Sequence, residues 1–146
     1  MYIFIQKSSM LTTTSKYALQ ALTFLAHETD ETQLVGSELA KSTGIPANYL
    51  DKVLQTLRKS GILTATRGLG GGYSFGRPAA KVNLIDVVTL FEDINSQPLC
   101  LLRPGEHCTG NNTCPAHPAW LDVHERLLRF LKKTSIAEIA WDSRAR

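Results

Sequence analysis

Cysteine is absent from the first 99 residues of this 146-residue chain, and its three cysteines all fall between positions 100 and 114. An odd, clustered set does not form a closed disulfide framework, which excludes the small disulfide-rich secreted class. Long apolar runs are also missing, since no stretch approaches the ~18 residues of a membrane helix. Residues 1–9 carry no secretory pattern and are set aside as a leader or extension. We therefore expect a cytoplasmic protein with no membrane partner.

Charge is scarce, with 20% charged residues and a formal net charge of +3, which excludes a disordered chain or a coiled-coil rod. Despite this small net charge, the range Ala47–Lys81 holds six basic residues and the single acidic residue Asp51. Such a patch favours a polyanionic partner, although a solvated basic face would have the same composition. The chain also lacks a His-Glu-x-x-His motif and a nucleophile elbow, so we expect no enzyme and no small-molecule substrate.

Three amphipathic segments in the first 60 residues predict helices, because their apolar residues recur at helical spacing. Between the second and third, Gly44 suits a helix end and Pro46 a helix start, so the chain turns tightly there. Two helices joined in this way form a helix-turn-helix. The predicted helices run from a cap among Thr12–Ser15 to His27, from Glu38 to Ser42 with Ser37 as the cap, and from Ala47 to Ser60.

A β-hairpin is predicted next, from Ile62–Thr66 and Tyr73–Phe75 on either side of a glycine-rich turn. No Gly-Lys-Ser/Thr follows the glycines, which excludes a phosphate-binding loop. Arg67 and Arg77 flank the hairpin, and arginine on a narrow turn suits insertion into a DNA minor groove. Simple solvation of a surface turn is the alternative.

The remainder predicts a short helix Asp86–Asp93, a Gly- and Pro-rich loop Asn95–Pro118 and a long amphipathic helix to Lys133. The predicted fold class is mainly α with a small β-hairpin wing, that is, a winged helix-turn-helix plus a long dimerisation helix. The predicted division is 1–9 leader or extension, 10–82 winged helix-turn-helix DNA-binding domain, 83–117 linking helix and cysteine loop, and 118–146 dimerisation helix and C-terminal tail.

The cysteines follow the spacing Cys100-x7-Cys108-x5-Cys114, with His117 three positions further on. Thiolates are soft ligands that suit iron-sulfur clusters and zinc, and the glycines and prolines between them let the loop curl. A Cys3His zinc site and free or disulfide-forming thiols remain alternatives. His107, beside Cys108, is a second candidate histidine.

The run from Tyr49 to Gly61, followed by Arg67-Gly68-Leu69-Gly70-Gly71-Gly72-Tyr73, resembles the signature of the bacterial Rrf-two family of winged-helix regulators, which includes IscR, NsrR and RirA. The start at Leu11-Thr12 and the three late cysteines agree, and the resemblance covers residues 10 to about 140. It implies that the second helix of the helix-turn-helix enters the major groove and the wing arginine the minor groove. The implied DNA contacts are Asn48, Tyr49, Asp51, Lys52 and Arg67, beside the basic residues Arg58 and Lys59.

Cys114-Pro115-Ala116-His117, with Trp120 beyond, is similar to the IscR-like members, in which three cysteines and a histidine hold a [2Fe-2S] cluster. The first gap is seven residues where the family pattern has five, and Lys16 stands where NsrR-like members carry an acidic ligand to a [4Fe-4S] cluster. The resemblance therefore favours [2Fe-2S] over [4Fe-4S]. The implied ligands are Cys100, Cys108, Cys114 and His117.

The expected function is that of a homodimeric DNA-binding repressor that senses iron-sulfur, redox or nitric oxide status. The alternative is a cluster-free or zinc-stapled regulator of the same family that senses through a partner protein or thiol oxidation.

Overall fold

The computed structural model describes residues 10–28, 33–96, 98–100, 102–103, 106–108 and 114–140. Within these ranges the chain is mainly helical, with one antiparallel strand pair. None of the helices in these ranges combines the length and apolarity needed to cross a membrane. The helices are α1 Thr13–His27, α2 Gly36–Thr43, α3 Ala47–Lys59, α4 Leu84–Val88, α5 His117–Lys133 and α6 Ile136–Ile139, and the strands are β1 Leu63–Thr66 and β2 Gly72–Phe75.

The start of α1 and the end of α2 confirm the sequence prediction. Thr12 caps α1, because its hydroxyl accepts a hydrogen bond from Ser15 N at 3.2 Å. Gly44 ends α2 with φ +74° and donates its N–H to Ala40 O at 2.9 Å. This left-handed conformation costs glycine little, and it turns the chain sharply toward α3.

The predicted start of α2 is wrong by two residues. The helix begins at Gly36, so Ser37 lies within its first turn and does not cap it. The preceding residue, Val35, instead donates its N–H to the Glu38 carboxylate at 3.4 Å. A carboxylate in the first helical turn satisfies donors that an N-cap serine would otherwise serve.

The packed side of α3 consists of Leu50, Val53, Leu54 and Leu57, each at most 1% exposed. These residues recur every three or four positions, so they lie on one face and pack on α1 and α2. The opposite face of α3 is exposed and polar. The helix-turn-helix therefore presents its second helix outward.

The wing, the hairpin of β1 and β2, pairs Leu63 with Phe75 and Thr66 with Gly72. Its base is joined to the helical part, because Leu34 and Tyr73 exchange backbone hydrogen bonds at 3.2 and 2.8 Å. A Cβ at Gly72 would stand 2.7 Å from Leu34 O, so only glycine allows this approach. The hairpin is thus fixed against the segment that leads into α2.

The helix predicted at Asp86–Asp93 is placed too late and is too long. The observed α4 starts at Leu84, where the Asp86 carboxylate accepts from Asn83 N at 3.0 Å, and it ends at Val88. Tighter turns follow, in which Leu90 and Phe91 each donate to the carbonyl three residues back. The acidic residues Asp86 and Glu92 accept hydrogen bonds from the helix start and from the first turn of α1, respectively.

The long helix α5 begins two residues before the predicted Ala119, because Pro118 fits a first helical turn where no N–H donor is required. This is the helix that the sequence predicts for dimerisation. Its apolar residue Leu131 is nevertheless 0% exposed and lies in the core of its own chain. Leu127 is partly buried against the same core. The exposed apolar residues of this helix are Val123 and Phe130.

The short helix α6 was not predicted. Ser135 caps it by accepting from Glu138 N at 3.3 Å, while the Glu138 carboxylate accepts from Ser135 N at 2.6 Å. Ile136 also donates its backbone N–H to Val82 O at 2.8 Å. The chain after α5 therefore returns to the helix-turn-helix, and Leu131 and Ile136 share one continuous hydrophobic cluster with α1 and α3.

Candidate nucleic-acid interface and cysteine site

The exposed face of α3 carries every residue of that helix that the sequence proposed for DNA contact. Four of them, Asn48, Tyr49, Asp51 and Lys52, lie in its first two turns. The two basic residues Arg58 and Lys59 lie in its last turn and are also exposed. An exposed polar helix of this width fits the major groove of B-form DNA, with cations at one end for phosphates.

Sequence reasoning missed Gln55, one turn beyond Asp51 on the same face. Its side-chain amide donates to the Asp51 carboxylate at 2.9 Å. This bond fixes the carboxylate and leaves the pair rich in hydrogen-bond acceptors, which suits the amino groups of cytosine or adenine. The spacing of four residues on a predicted helix was the available signal.

The two arginines that flank the wing differ in their surroundings. Arg77 forms an ion pair with Asp86 of α4, at 3.6 Å. Arg67 is exposed at the end of β1 and stands beside a tight turn in which Gly71 N donates to Gly68 O at 3.0 Å. Arg67, which the family resemblance assigns to the minor groove, is therefore exposed on the wing, and that assignment stays a prediction.

The first turn of α1 connects α3 to the segment that leads to the cysteines. The Glu92 carboxylate accepts from Thr12 N and from the buried Ser15 hydroxyl, each at 2.7 Å. From the same turn, Thr14 Oγ1 lies 2.7 Å from the Tyr49 hydroxyl. The sequence gave no signal for either contact, because the partners are 77 to 80 and 35 residues apart.

Two of the three cysteines lie on a short antiparallel pairing between residues 98–100 and 106–108. Cys100 donates its N–H to Glu106 O at 2.6 Å, and Cys108 donates to Pro98 O at 2.8 Å. Both cysteines are one position beyond the bridged pair Leu99 and His107. Because side chains alternate along a strand, Cys100 and Cys108 share a face and His107 lies on the other.

The thiol of Cys108 is buried at 5% exposure, whereas Cys100 and Cys114 are half-buried. Burial raises the pKa of Cys108 above its ordinary value, and the neighbouring Cys100, which is hydrogen bonded to it, raises the pKa further. Cys114 acts on it in the same direction. Cys108 is therefore a buried thiol whose ionisation is disfavoured, and it shares its face of the pairing with Cys100.

His117 lies at the start of α5, one turn after Cys114, and its backbone N–H donates to Cys114 O at 3.0 Å. Its ring atom Nδ1 is buried and has no hydrogen-bond partner among the described residues. A buried imidazole nitrogen without a partner is costly unless something binds it. His124, by contrast, has its Nε2 atom 3.2 Å from Ile94 O, as expected of a packing histidine.

These four residues fit an iron-sulfur group by donor chemistry. Three thiols and one unpartnered imidazole nitrogen match the soft donors that clusters require. In the described part of the chain, no three His, Cys, Asp or Glu side chains are arranged as ligands of a single metal ion. A Cys3His set is also common in structural zinc sites, so the donor types fit both groups.

The fold and the exposed α3 face define a class, that of winged helix-turn-helix DNA-binding proteins. A family model described as Rrf2, iron-dependent transcriptional regulator, matches residues 11–142. The chain belongs to this family, which is the Rrf-two family of the sequence resemblance, and it is an IscR-like transcriptional regulator.

Relatives and solved structures agree with this membership. The HTH-type transcriptional regulator IscR of Xenorhabdus nematophila is 30% identical over 129 residues, covering 88% of this chain and 77% of that protein. IscR of Yersinia pseudotuberculosis has the same identity and coverage.

Two solved structures share the fold. CymR, the global cysteine regulator of B. subtilis, superposes with a TM-score of 0.71 at 23% identity, covering 89% of this chain and 95% of that one. IscR of T. potens gives a TM-score of 0.68 at 22% identity, covering 88% and 84%.

Proposed function

We propose that this regulator senses iron-sulfur or redox status through a cluster held by Cys100, Cys108, Cys114 and His117. The observation that carries the proposal is the buried Nδ1 of His117, which has no partner among the described residues and lies one turn after Cys114. A [2Fe-2S] cluster is favoured, because three thiolates and one neutral imidazole supply its four ligands. When bound, the cluster supplies reversible electron transfer and sensitivity to oxidants and nitric oxide.

Hydrogen bonds of described residues connect the cysteine segment, here residues 98–100, 106–108 and 114–117, to α5. The Trp120 indole N–H donates to Leu99 O at 2.8 Å, next to Cys100. His124 and Ile94 join α5 to the chain before this segment, and Glu92 joins the same stretch to the first turn of α1. A change in how the cysteines are held would therefore act on contacts that end at the DNA-reading helix.

We also propose that the protein acts as a homodimer through α5. Val123 and Phe130 are 38% and 51% exposed and lie seven residues apart, so they form an apolar stripe on one face. A second copy would cover this stripe and place two α3 helices about 34 Å apart, one DNA turn, or at a multiple of it. Phe130→Asp should yield monomers by light scattering, and a retained dimer would place the interface elsewhere.

The deciding experiment is the absorption spectrum and metal content of protein purified without oxygen. Red-brown protein with about two irons and about two sulfides per chain supports the cluster. Colourless protein that holds one tightly bound zinc per chain, and whose DNA affinity is indifferent to oxidants, would overturn it.

A thiol switch is the second candidate function, favoured by the position of Cys100 and Cys108 on the same face of the short pairing. In this reaction both thiols lose their hydrogens, a Cys100–Cys108 disulfide forms, and hydrogen peroxide as oxidant is reduced to two waters. Its signature is colourless protein that loses two titratable thiols per chain on oxidation, together with a change in DNA affinity that a reductant reverses.

A further inference from the structure

Tyr49 is held from two sides by α1. It lies in the first turn of α3, and 40% of its surface is exposed. Its hydroxyl oxygen is 2.7 Å from Thr14 Oγ1. Its ring meets the Tyr17 ring edge to face, with centroids 5.4 Å apart and planes at 82°. The hydrogen bond and the ring contact together fix both the hydroxyl direction and the plane of the Tyr49 ring.

These contacts decide which part of Tyr49 faces outward. The hydroxyl is engaged with Thr14 and one part of the ring with Tyr17, so the remaining exposed surface is mainly aromatic carbon. In the major groove, apolar surface recognises the C5 methyl group of thymine, whereas polar groups recognise phosphates and base edges. The neighbours Asn48 and Lys52 are polar, so Tyr49 is the aromatic element of the first turn of α3.

The first turn of α1 is itself held in place. The Glu92 carboxylate binds Thr12 N and the Ser15 hydroxyl at 2.7 Å each, and Ser15 is 0% exposed. Thr14 therefore meets Tyr49 from a turn whose position is fixed by contacts on its other side. Such support orders the Tyr49 side chain before DNA arrives, which lowers the entropic cost of binding.

We propose that Thr14 and Tyr17 are positioning residues for DNA reading, and that they direct the aromatic face of Tyr49 toward a thymine methyl group. This inference rests on the proposed contact of α3 with DNA. Neither residue belongs to the contact set that the family resemblance implied, and the thymine methyl assigns a specific ligand to Tyr49.

The test uses a duplex that the full-length protein selects from a random-sequence library. Each thymine is replaced singly by deoxyuridine, which removes only the C5 methyl group. For the unaltered protein, one position per half-site should lose about 4-fold in affinity, the effect of one buried methyl-sized group. Tyr49→Ala should bind more weakly and no longer distinguish thymine from uracil at that position.

The positioning role is tested by Thr14→Val and Tyr49→Phe, which remove the same hydrogen bond and keep the ring. Each should weaken binding by roughly 2- to 10-fold, the range of one net hydrogen bond, and reduce the discrimination against uracil. The double variant should be no weaker than either single one, because both lose one shared interaction. Thr13→Val, the same change at an exposed threonine in the same turn, should leave both measurements unchanged.

Three outcomes would overturn this inference. An affinity loss in Tyr49→Phe as large as that in Tyr49→Ala would make the hydroxyl the DNA contact. Additive losses in the double variant would show that Thr14 and Tyr49 act separately. Unchanged uracil discrimination in Thr14→Val would deny the positioning role. Failure of the proposed DNA face looks different, because Tyr49→Ala and Lys52→Ala would then both bind as tightly as the unaltered protein.

Discussion

The DNA-reading head, formed by α1, α2, α3 and the wing, differs from the cysteine segment in how its polar groups are satisfied. In the head, side chains find partners within the chain, as Thr14 does with Tyr49 and Ser15 with Glu92. In the cysteine segment, the His117 Nδ1 atom is buried without a partner among the described residues, and the Cys108 side chain is buried as well. The first region is organised to present a surface, whereas under the proposed function the second region holds a cluster.

The largest expected effect comes from Cys108→Ala, since Cys108 is the buried thiol that neighbours the other two. Under the proposed function, iron should fall from about two per chain to near zero, because a cluster that lacks a thiolate ligand is lost. The head should stay folded by circular dichroism. His107→Ala is the matched control, since that residue lies on the opposite face of the same pairing, and it should keep the colour. If Cys108→Ala retains its full iron content, Cys108 is not a ligand of the cluster.

A second comparison sets Leu57 of α3 against Leu131 of α5, both 0% exposed. Because both belong to one hydrophobic cluster, each Leu→Ala change should lower the free energy of unfolding by about 2 to 5 kcal/mol in a single transition. Denaturant unfolding measures both values. Two separate transitions, with Leu131→Ala affecting only one of them, would show that α5 folds independently of the head.

A third prediction compares the two wing arginines. Arg67→Ala should weaken DNA binding by ~1 to 3 kcal/mol per subunit at A·T-rich wing contacts if the side chain enters the minor groove. Arg77→Ala should cost less, because Arg77 is paired with Asp86. Equal losses of affinity in titrations of the two variants would show that the ion pair with Asp86 does not distinguish Arg77 from Arg67.

Lys59→Ala should flatten the salt dependence of DNA binding, as expected for a lost phosphate contact.

The smallest expected effect concerns the pH dependence of folding stability through Glu138 in α6. Hydrogen bonds from the Ser135 backbone N–H and hydroxyl hold the pKa of Glu138 below its ordinary value. A lowered pKa in the folded state contributes stability that is present above the ordinary carboxyl pKa and is lost as pH falls through the folded value. The melting temperature should therefore fall slightly less between neutral and acidic pH in Glu138→Gln than in the unaltered chain, as thermal unfolding would measure. An equal fall in melting temperature in both proteins would show that Glu138 does not contribute to the pH dependence of stability.

Local patterns predicted most of the head. The helical spacing of Leu50, Val53, Leu54 and Leu57 fixed the buried side of α3, and Gly44 marked a turn that requires positive φ. The Arg-Gly-x-Gly-Gly-Gly-Tyr run predicted the wing, whose pairing the structure confirms.

The errors came from interactions between distant parts of the chain. Nothing near Glu92 in sequence indicates that its carboxylate binds α1, and the apolar spacing that includes Phe91 was interpreted as a helix that continues to Asp93. Similarly, the apolar stripe of α5 does not by itself distinguish a partner subunit from the chain's own core, where Leu131 lies. Two local signals were overlooked, namely the capping pattern of Ser135 and Glu138 and the spacing of Asp51 and Gln55 on α3.

For the cysteine site, the sequence supplied the residue types and their spacing. It did not indicate that Cys108 is the buried member, because burial depends on the pairing of residues 98–100 with 106–108. The ligand assignment of Cys100, Cys108, Cys114 and His117 stays a prediction.

The hydrogen bond from Trp120 to Leu99 provides an optical reporter beside the cysteines. Trp120 donates its indole N–H to Leu99 O at 2.8 Å, one residue before Cys100. The chain has two tryptophans, and the other, Trp141, lies outside the described residues. Replacing Trp141 with phenylalanine would leave a single emitter whose fluorescence responds to that hydrogen bond and to any nearby coloured cofactor. The state of the cysteine segment could then be followed in solution, with and without DNA, without adding an external dye.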